Sequence, residues 1–241
     1  MARYFIEVSY RGTNYAGFQI QQNANSIQAE LEKALGVFFK ADFQLTGSSR
    51  TDAGVHAIQN YFHFDSDKLP QDEILERIVY NINAILPEDI VVKTIKKVNH
   101  DAHCRFDAVG RIYRYHIYQT KNPFVADRAF YYPFKLDIAL LQQAADALLE
   151  YKDFTSFSKR NTQVKTFICN LSKSHWEESN NMLIYTVAGN RFLRGMVRGL
   201  VGTMLKVGTQ KMSLDNFRQV ILSKDCSNAD FSVPPQGLFL E

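Results

Sequence analysis

Apolar residues in the first half of the chain repeat with two periods, one typical of strands and one of helices. Tyr4, Ile6 and Val8 alternate with Phe5, Glu7 and Ser9, whereas Ile27, Leu31 and later apolar residues recur at helical spacing. In chain order the pattern predicts a strand over Arg3–Tyr10, a helix capped by Ser26, strands over Phe43–Leu45 and Ile58–Phe64, a helix over Gln71–Ile85 and a strand over Ile90–Val98.

The second half of the chain repeats this order of elements less cleanly. The pattern predicts strands over Arg111–Tyr118, Val164–His175, Met182–Val187 and Gly237–Leu240, and helices over Asp137–Glu150, Phe192–Val207 and Leu214–Leu222. Strand, helix, strand, strand, helix, strand is the split βαβ order of the ferredoxin-like fold. We therefore predict an α+β protein of two ferredoxin-like halves, joined into a continuous mixed or antiparallel sheet with helices on one face and a central cleft.

No linker rich in proline, glycine or serine separates the halves, so we expect one continuous body. Its N-terminal α/β subdomain would span residues 1–108 and its C-terminal α/β subdomain residues 109–241. The 241 residues, 46% hydrophobic and 22% charged, are typical of a folded soluble protein. No apolar run is long enough to cross a bilayer, and the N-terminus has no signal-peptide pattern, so we expect no membrane association.

Three cysteines lie far apart and form no CxxC pair, which argues against disulfides and cysteine-zinc sites and favours the reducing cytoplasm. Six histidines show no HExxH spacing, so no metal site is predicted. No Walker or GxGxxG phosphate loop occurs, so no cofactor is implied, and no GxSxG nucleophile elbow is present.

Charge is distributed unevenly along the chain, although the net charge is only +3. Residues 65–89 carry seven acidic and two basic side chains, whereas residues 152–211 carry ten basic and three acidic ones. The second half could therefore present a positive surface to a polyanion. An ordinary solvated basic face explains the charge equally well.

A polar segment, Ser48–His56, separates two of the predicted strands and contains Arg50 and Asp52. Loops held by rigid strands often carry catalytic groups, and this loop would display a carboxylate beside a guanidinium. Taken alone, the same residues are also consistent with a simple turn.

Two further patterns have both a structural and a functional interpretation. Helical spacing would place three arginines on one face, namely Arg191, Arg194 and Arg198. Their positive charges would repel one another unless an anion or a buried acid neutralised them. Three glycines in the same segment indicate a close approach by another backbone; they are Gly195, Gly199 and Gly202. On the strand from Arg111, alternating Tyr113 and Tyr115 fit either a sheet core or a platform that stacks RNA bases.

The string Arg50-Thr51-Asp52-Ala53-Gly54-Val55-His56 resembles the TruA family of tRNA pseudouridine synthases, and the likeness runs almost end to end. Weaker matches occur in the family's order: Tyr10-Arg11-Gly12-Thr13, Gly17-Phe18-Gln19-Ile20-Gln21, Asn83-Ala84-Ile85-Leu86-Pro87, His103-Cys104-Arg105-Phe106, Tyr113-Arg114-Tyr115, Asp153-Phe154-Thr155-Ser156-Phe157, Met196-Val197-Arg198 and Gly237-Leu238-Phe239-Leu240. The chain departs from the family at Arg11, Phe18, Ser49 and Cys104, none of which is the expected nucleophile.

The resemblance implies isomerisation of uridine to pseudouridine at positions 38–40 of the tRNA anticodon arm, without a cofactor, by a homodimer. It implies that Asp52 is the nucleophile, that Tyr113 stacks on the target uracil, that Arg198 pairs with Asp52 and that Arg50 helps to hold the flipped nucleotide. The central cleft would then bind RNA.

Two other functions are also consistent with the sequence. A non-catalytic RNA-binding module would use Tyr113 and Tyr115 for stacking but leaves the Asp52 loop without a role. A nucleoside or glycoside hydrolase would use Asp52 but needs a second carboxylate as acid, and none stands out.

Overall fold

The computed structural model describes residues 1–69, 75–160 and 164–241, and these form nine β-strands and five α-helices. The protein is therefore of the predicted α+β class. It divides into two compact units, one comprising residues 1–109 with 240–241 and the other residues 110–239. Within the described residues, no helix is both long and apolar enough to span a membrane.

The first unit follows the order strand, helix, strand, strand, helix, strand. Its elements are β1 (Ala2–Tyr10), α1 (Ile27–Phe39), β2 (Thr46–Gly47), β3 (His56–Ser66), α2 (Leu75–Ile85) and β4 (Ile90–Val98). The strands lie in the order β4-β1-β3, with β2 paired to the far side of β3, and every pair is antiparallel. Alternate residues of β1 are buried, because one face of the sheet packs against the protein core.

The helix predicted after Ser26 is confirmed, and the side chain of Ser26 caps it by accepting a hydrogen bond from the Ala29 amide at 3.2 Å. Helix α1 buries Ile27, Leu31 and Leu35, as the spacing predicted. Helix α2 is described from Leu75 onward, so the predicted start at Gln71 lies outside the described residues.

The strand predicted over Phe43–Leu45 is wrong, since pairing with β3 begins only at Thr46. Side chains of α1 occupy the backbone groups that a strand at Leu45 would need. The Leu45 amide donates to the Glu32 carboxylate at 2.8 Å, and its carbonyl accepts from the Gln28 amide at 2.9 Å. Phe43 and Leu45 are nevertheless buried, which explains their strand-like apolar pattern.

The second unit contains β5 (Arg111–Tyr118), β6 (Phe130–Tyr131), α3 (Ile138–Leu148), β7 (Leu171–Ser179), β8 (Met182–Gly189), α4 (Met196–Gly208), α5 (Leu214–Leu222) and, apart from its last residue, β9 (Leu238–Leu240). Its main strands lie in the order β9-β5-β8-β7, and the short β6 runs parallel to the end of β5. When the four strands of each unit are numbered 1 to 4 in chain order, leaving out the short β6, both units have the order 4-1-3-2. This order is β4-β1-β3-β2 in the first unit and β9-β5-β8-β7 in the second.

The strand predicted to begin at Val164 begins at Leu171 instead. The residues just before Leu171 pair with Lys152 and Asp153 instead of with a strand of the sheet. The Cys169 amide donates to the Lys152 carbonyl at 2.8 Å, and Ile168 forms an isolated bridge with Asp153. Their backbone groups are therefore paired outside the sheet.

The helix predicted from Phe192 begins four residues later, at Met196. Gly195 precedes it with a φ of 75°, a left-handed conformation that interrupts any helix running through it. Arg191 and Arg194 thus lie outside the helix, and the predicted face of three arginines is wrong. Of the three, only Arg198 is on α4.

The glycines of α4 do allow the close approach that the sequence indicated. A Cβ atom on Gly202 would lie 2.3 Å from the Asp230 carbonyl oxygen, and one on Gly199 would lie 2.7 Å from the Phe231 ring. The segment Asp230–Val233 therefore packs directly on the helix backbone.

Candidate active site

Asp52 lies in the loop between β2 and β3, at the first position of a tight turn. The Val55 amide donates to the Asp52 carbonyl at 3.2 Å, which closes the turn. Gly54 occupies the third position with a φ of 77°, the conformation that a type II turn requires there. The Asp52 side chain is half-buried, so its carboxylate is held on a fixed backbone and still reaches solvent.

A buried polar cluster anchors the residues that precede Asp52. The hydroxyls of Thr51 and Tyr10 are hydrogen bonded at 2.8 Å, and the Asn60 amide donates both to the Tyr10 hydroxyl and to the Ser49 carbonyl at 3.2 and 3.0 Å. Tyr10, Thr51 and Asn60 are all buried. Buried polar groups that satisfy one another fix a local structure, because breaking any contact leaves a polar atom without a partner.

The segment that follows β1 holds the loop from a second side. The Phe18 amide donates to the Thr51 carbonyl at 3.1 Å, and the Gly54 amide donates to the Tyr15 carbonyl at 3.3 Å. Gly17, with a φ of 105°, has no room for a side chain, because a Cβ atom would lie 2.8 Å from the Thr51 oxygen.

Gly12 makes the closest approach to the loop. A Cβ atom there would lie only 2.0 Å from the Val55 carbonyl oxygen. The Gly12 amide donates to Nδ1 of His56 at 3.1 Å, which assigns the acceptor nitrogen of that ring. The backbone on both sides of Asp52 is thus fixed by direct contacts.

Tyr15 connects this segment to the turn before β4. Its hydroxyl donates to the Asp89 carboxylate, and burial together with this hydrogen bond raises the pKa of Tyr15. The raised pKa favours the protonated phenol, which is the form that donates this hydrogen bond.

Arg50 is exposed, although its neighbours Ser49 and Thr51 are buried. The Arg50 guanidinium is therefore accessible to an anionic ligand, on the same loop as Asp52.

Tyr113 lies on β5 in the second unit, opposite Val187 of β8. The tyrosine is buried, and its ring meets the ring of Phe192 edge to face with centroids 5.0 Å apart. Phe192 thereby fixes the orientation of the Tyr113 ring.

Tyr115 is fully buried, so the sheet-core interpretation is confirmed for this residue and the interpretation of both tyrosines as a stacking platform is wrong. Its hydroxyl donates to the Pro234 carbonyl at 2.6 Å, and burial raises the pKa of this phenol. Tyr115 is a core residue that fixes the chain before β9 and presents no ring face to a nucleic acid.

Arg198 lies on α4 and is half-buried beside the segment Asp230–Val233. Its Nε donates to the Val233 carbonyl at 2.7 Å, and one terminal nitrogen donates to the Phe231 carbonyl at 3.3 Å. These contacts use two of the five N–H donors of a guanidinium. Arg198 therefore has a structural role that its sequence position did not reveal.

The sequence identified the charged residues of the Asp52 loop but missed the groups that position them. Tyr10, Gly12 and Gly17 belong to motifs that resemble the family, and only the fold shows that they contact the loop. Asp52 and Arg50 belong to the first unit, whereas Tyr113 and Arg198 belong to the second.

Comparisons with known proteins give one consistent result. A family model described as tRNA pseudouridine synthase matches residues 6–107 and 144–241. The chain is 43% identical to tRNA pseudouridine synthase A of Bacteroides thetaiotaomicron, over 100% of this chain and 89% of the relative. It is 44% identical to the Bacteroides fragilis protein of the same name, over 99% and 94%, and 39% identical to that of Staphylococcus saprophyticus, over 99% and 89%.

Proposed function

Because the chain belongs to the tRNA pseudouridine synthase family, and is thus an isomerase, we propose that it converts uridine to pseudouridine at positions 38–40 of the tRNA anticodon stem-loop. Asp52 would be the nucleophile, acting on a uridine flipped out of the helix. The rigid support of the half-buried Asp52 carboxylate carries this proposal, because catalytic groups must be held close to their productive geometry.

The reaction breaks the N1–C1′ bond, rotates the uracil and joins C5 to C1′. An ionised aspartate can attack C1′, attack C6 of the ring or remove a proton from C2′, and each role requires the negative charge beside the sugar and base. The isomerisation is redox-neutral, so the reaction as proposed requires no electron carrier.

We propose that Arg198 pairs with Asp52 and that each of the two units is a ferredoxin-like half. The matching strand order of the two units supports the ferredoxin-like assignment. Three N–H donors of Arg198 remain after its contacts with Phe231 and Val233, and a guanidinium pairs well with a carboxylate.

Tyr113 would stack on the flipped uracil. Extruding a paired base costs a few kcal/mol, and stacking on an aromatic ring returns about 1–3 kcal/mol. The edge-to-face contact with Phe192 supports this role, because it orients the ring before the base arrives. Arg50 would bind the backbone of the flipped nucleotide.

Further cations in the second unit would bind tRNA phosphates. The Lys159 amide donates to the Arg194 carbonyl at 3.0 Å, and the Lys159 side chain packs over Gly195. Together with exposed Arg160, these residues form a basic surface just before α4. We further propose that the protein works in the cytoplasm as a homodimer whose subunits share one tRNA.

The direct test uses a tRNA transcript labelled with tritium at C5 of its uridines. We expect the purified chain to release tritium to water, because joining C5 to C1′ expels that hydrogen. Release should fall to background when uridines 38–40 are replaced by cytidine, and should persist when uridines elsewhere in the tRNA are replaced.

The two rival functions give different products in the same assay. An RNA-binding module would bind the transcript and release no tritium. A hydrolase would yield free uracil and an abasic site, which chromatography of the products detects. Either result would contradict the proposal.

We expect Arg198→Ala to lower kcat/KM by about 10²–10³-fold, the range found when one charge-stabilising donor is removed from an active site. The measurement is the rate of pseudouridine formation over a series of tRNA concentrations.

Lys206→Ala is the matched control, because Lys206 holds the same segment through its ion pair with Asp230 at 3.2 Å. That variant should lose some stability but keep the wild-type kcat/KM. Equal losses of kcat/KM in both variants would show that Arg198 acts only through the Asp230–Val233 segment.

A further inference from the structure

A cluster of His63, His103 and Cys104 lies in the first unit, apart from the loop of Asp52. Each residue offers one ligand atom, and these three atoms lie within 4.8 Å of one another. We propose that this cluster binds one zinc ion, with water in the fourth position. The proposal concerns a site separate from the proposed reaction and does not depend on it.

Two of the ligands are already at coordination spacing. Nδ1 of His63 lies 3.2 Å from the Cys104 sulfur. In a tetrahedral zinc site, Zn–N bonds of about 2.0–2.1 Å and Zn–S bonds of about 2.3 Å separate neighbouring ligand atoms by roughly 3.3–3.6 Å. The pair therefore needs only a small adjustment, and the His103 nitrogen needs to approach by about 1.5 Å at most.

The fold holds each ligand in place. His63 is on β3, where it pairs with Phe5 of β1 and with Thr46 of β2, and it is buried. The ligands His103 and Cys104 lie in the turn after β4, in which the amides of Phe106 and Asp107 both donate to the His103 carbonyl at 3.0 Å.

The imidazole of His103 is directed by its neighbours. Its ring lies 4.5 Å from the His63 ring and 4.2 Å from the ring of Phe106, between centroids. The Arg105 amide donates to its Nδ1 at 3.2 Å, a contact that metal binding would replace. His103 is only half-buried, which gives an ion and a water molecule access from solvent.

The donor set selects the kind of metal. One thiolate and two imidazoles suit a borderline-soft cation such as zinc, whereas calcium and magnesium require oxygen ligands. Binding would remove the thiol proton of Cys104 to solvent, and the contact that this thiol makes with the Thr46 carbonyl at 3.2 Å would be lost.

Nearby charges are compatible with an added cation. The Arg3 guanidinium acts on His63 and is paired with the Asp65 carboxylate at 2.8 Å. Asp107 adds a further negative charge that acts on His63, and its carboxylate accepts from the His103 amide at 2.7 Å. Bound zinc and one thiolate leave a single positive charge, which the Asp107 carboxylate favours.

The test uses tag-free, full-length protein, stripped of metal, reduced and titrated with Co²⁺. We expect one equivalent to bind, with a thiolate-to-cobalt charge-transfer band and the intense visible bands of tetrahedral cobalt, and one equivalent of Zn²⁺ to displace it. Saturating Zn²⁺ should also raise the melting temperature, because the metal binds the folded state.

Cys104→Ala and His103→Ala should each remove the charge-transfer band or weaken cobalt binding at least about tenfold. This is the lower end of the loss in metal affinity seen when a group that supports a metal site is mutated. Cys226→Ala and His100→Ala are the controls, since neither residue belongs to the cluster, and both variants should bind like wild type. Absence of the band in wild type, or its survival in Cys104→Ala, would show that the three side chains form hydrogen bonds and ring contacts only.

Discussion

Asp52→Asn is expected to abolish pseudouridine formation, with a loss of at least about 10⁴-fold in kcat, the scale seen when an enzyme loses its nucleophile. The amide has nearly the same shape as the carboxylate but carries no charge and is a far weaker nucleophile. Folding should be unaffected, because main-chain contacts from Phe18 and Val55 fix the loop. The measurement is single-turnover tritium release from labelled tRNA.

Asp42→Asn provides the matched control, since Asp42 is an exposed acid of the same unit outside the Asp52 loop. We expect wild-type turnover from this variant, and wild-type tRNA affinity and melting temperature from both. Substantial pseudouridine formation by Asp52→Asn would disprove the nucleophile assignment. Loss of turnover together with a lowered melting temperature would instead show that the carboxylate supports the fold.

Strongly periodic segments of this chain could be predicted from sequence because the physical factors that determine each of them agree. The strands over Ile90–Val98 and Arg111–Tyr118 and the helix over Leu214–Leu222 have the predicted bounds. In each, the apolar period, the residues at the ends and the tertiary packing favour the same element.

The wrong bounds occur where side chains or backbone conformation override the apolar pattern. At Leu45, two side chains of α1 take the backbone groups that a strand would pair. Before α4, the left-handed Gly195 delays the helix, and the sequence alone does not distinguish this glycine from Gly199 within it. Both outcomes depend on contacts between residues that are distant in the chain or on a single dihedral angle.

The same distinction applies to the candidate site. Arg50 and Asp52 are only two positions apart in sequence, so their motif is visible in the printed chain. The partners of Thr51 come from elsewhere: Tyr10 is 41 residues away, and Phe18 belongs to the segment after β1. The cluster of His63 and Cys104 is formed in the same way, by residues 41 positions apart, and has no local spacing pattern.

Gly12→Ala is expected to have the largest effect among substitutions outside the charged residues. The new Cβ atom would lie 2.0 Å from the Val55 carbonyl oxygen, so the backbone of the Asp52 loop or of Gly12 must move. Overpacking of this kind costs about 1–3 kcal/mol or more, equivalent to a drop of roughly 2–12 °C in melting temperature for a chain of this size. A displacement of about 1 Å at a catalytic group can cost 10²-fold in rate, and we expect a loss of that order.

Gly36→Ala adds the same methyl group where there is room for it. The residue lies within α1, and the nearest atom to its Cβ would be the Ala41 oxygen at 3.4 Å, an ordinary contact. Replacing a helical glycine by alanine gains about 1 kcal/mol, so this variant should melt slightly higher than wild type at full activity. Opposite changes in melting temperature, with activity lost only in Gly12→Ala, would establish that the position of the Asp52 loop depends on the close contact with Gly12. Wild-type turnover by Gly12→Ala would show that the loop tolerates displacement, and the rigid-support argument for Asp52 would then fail.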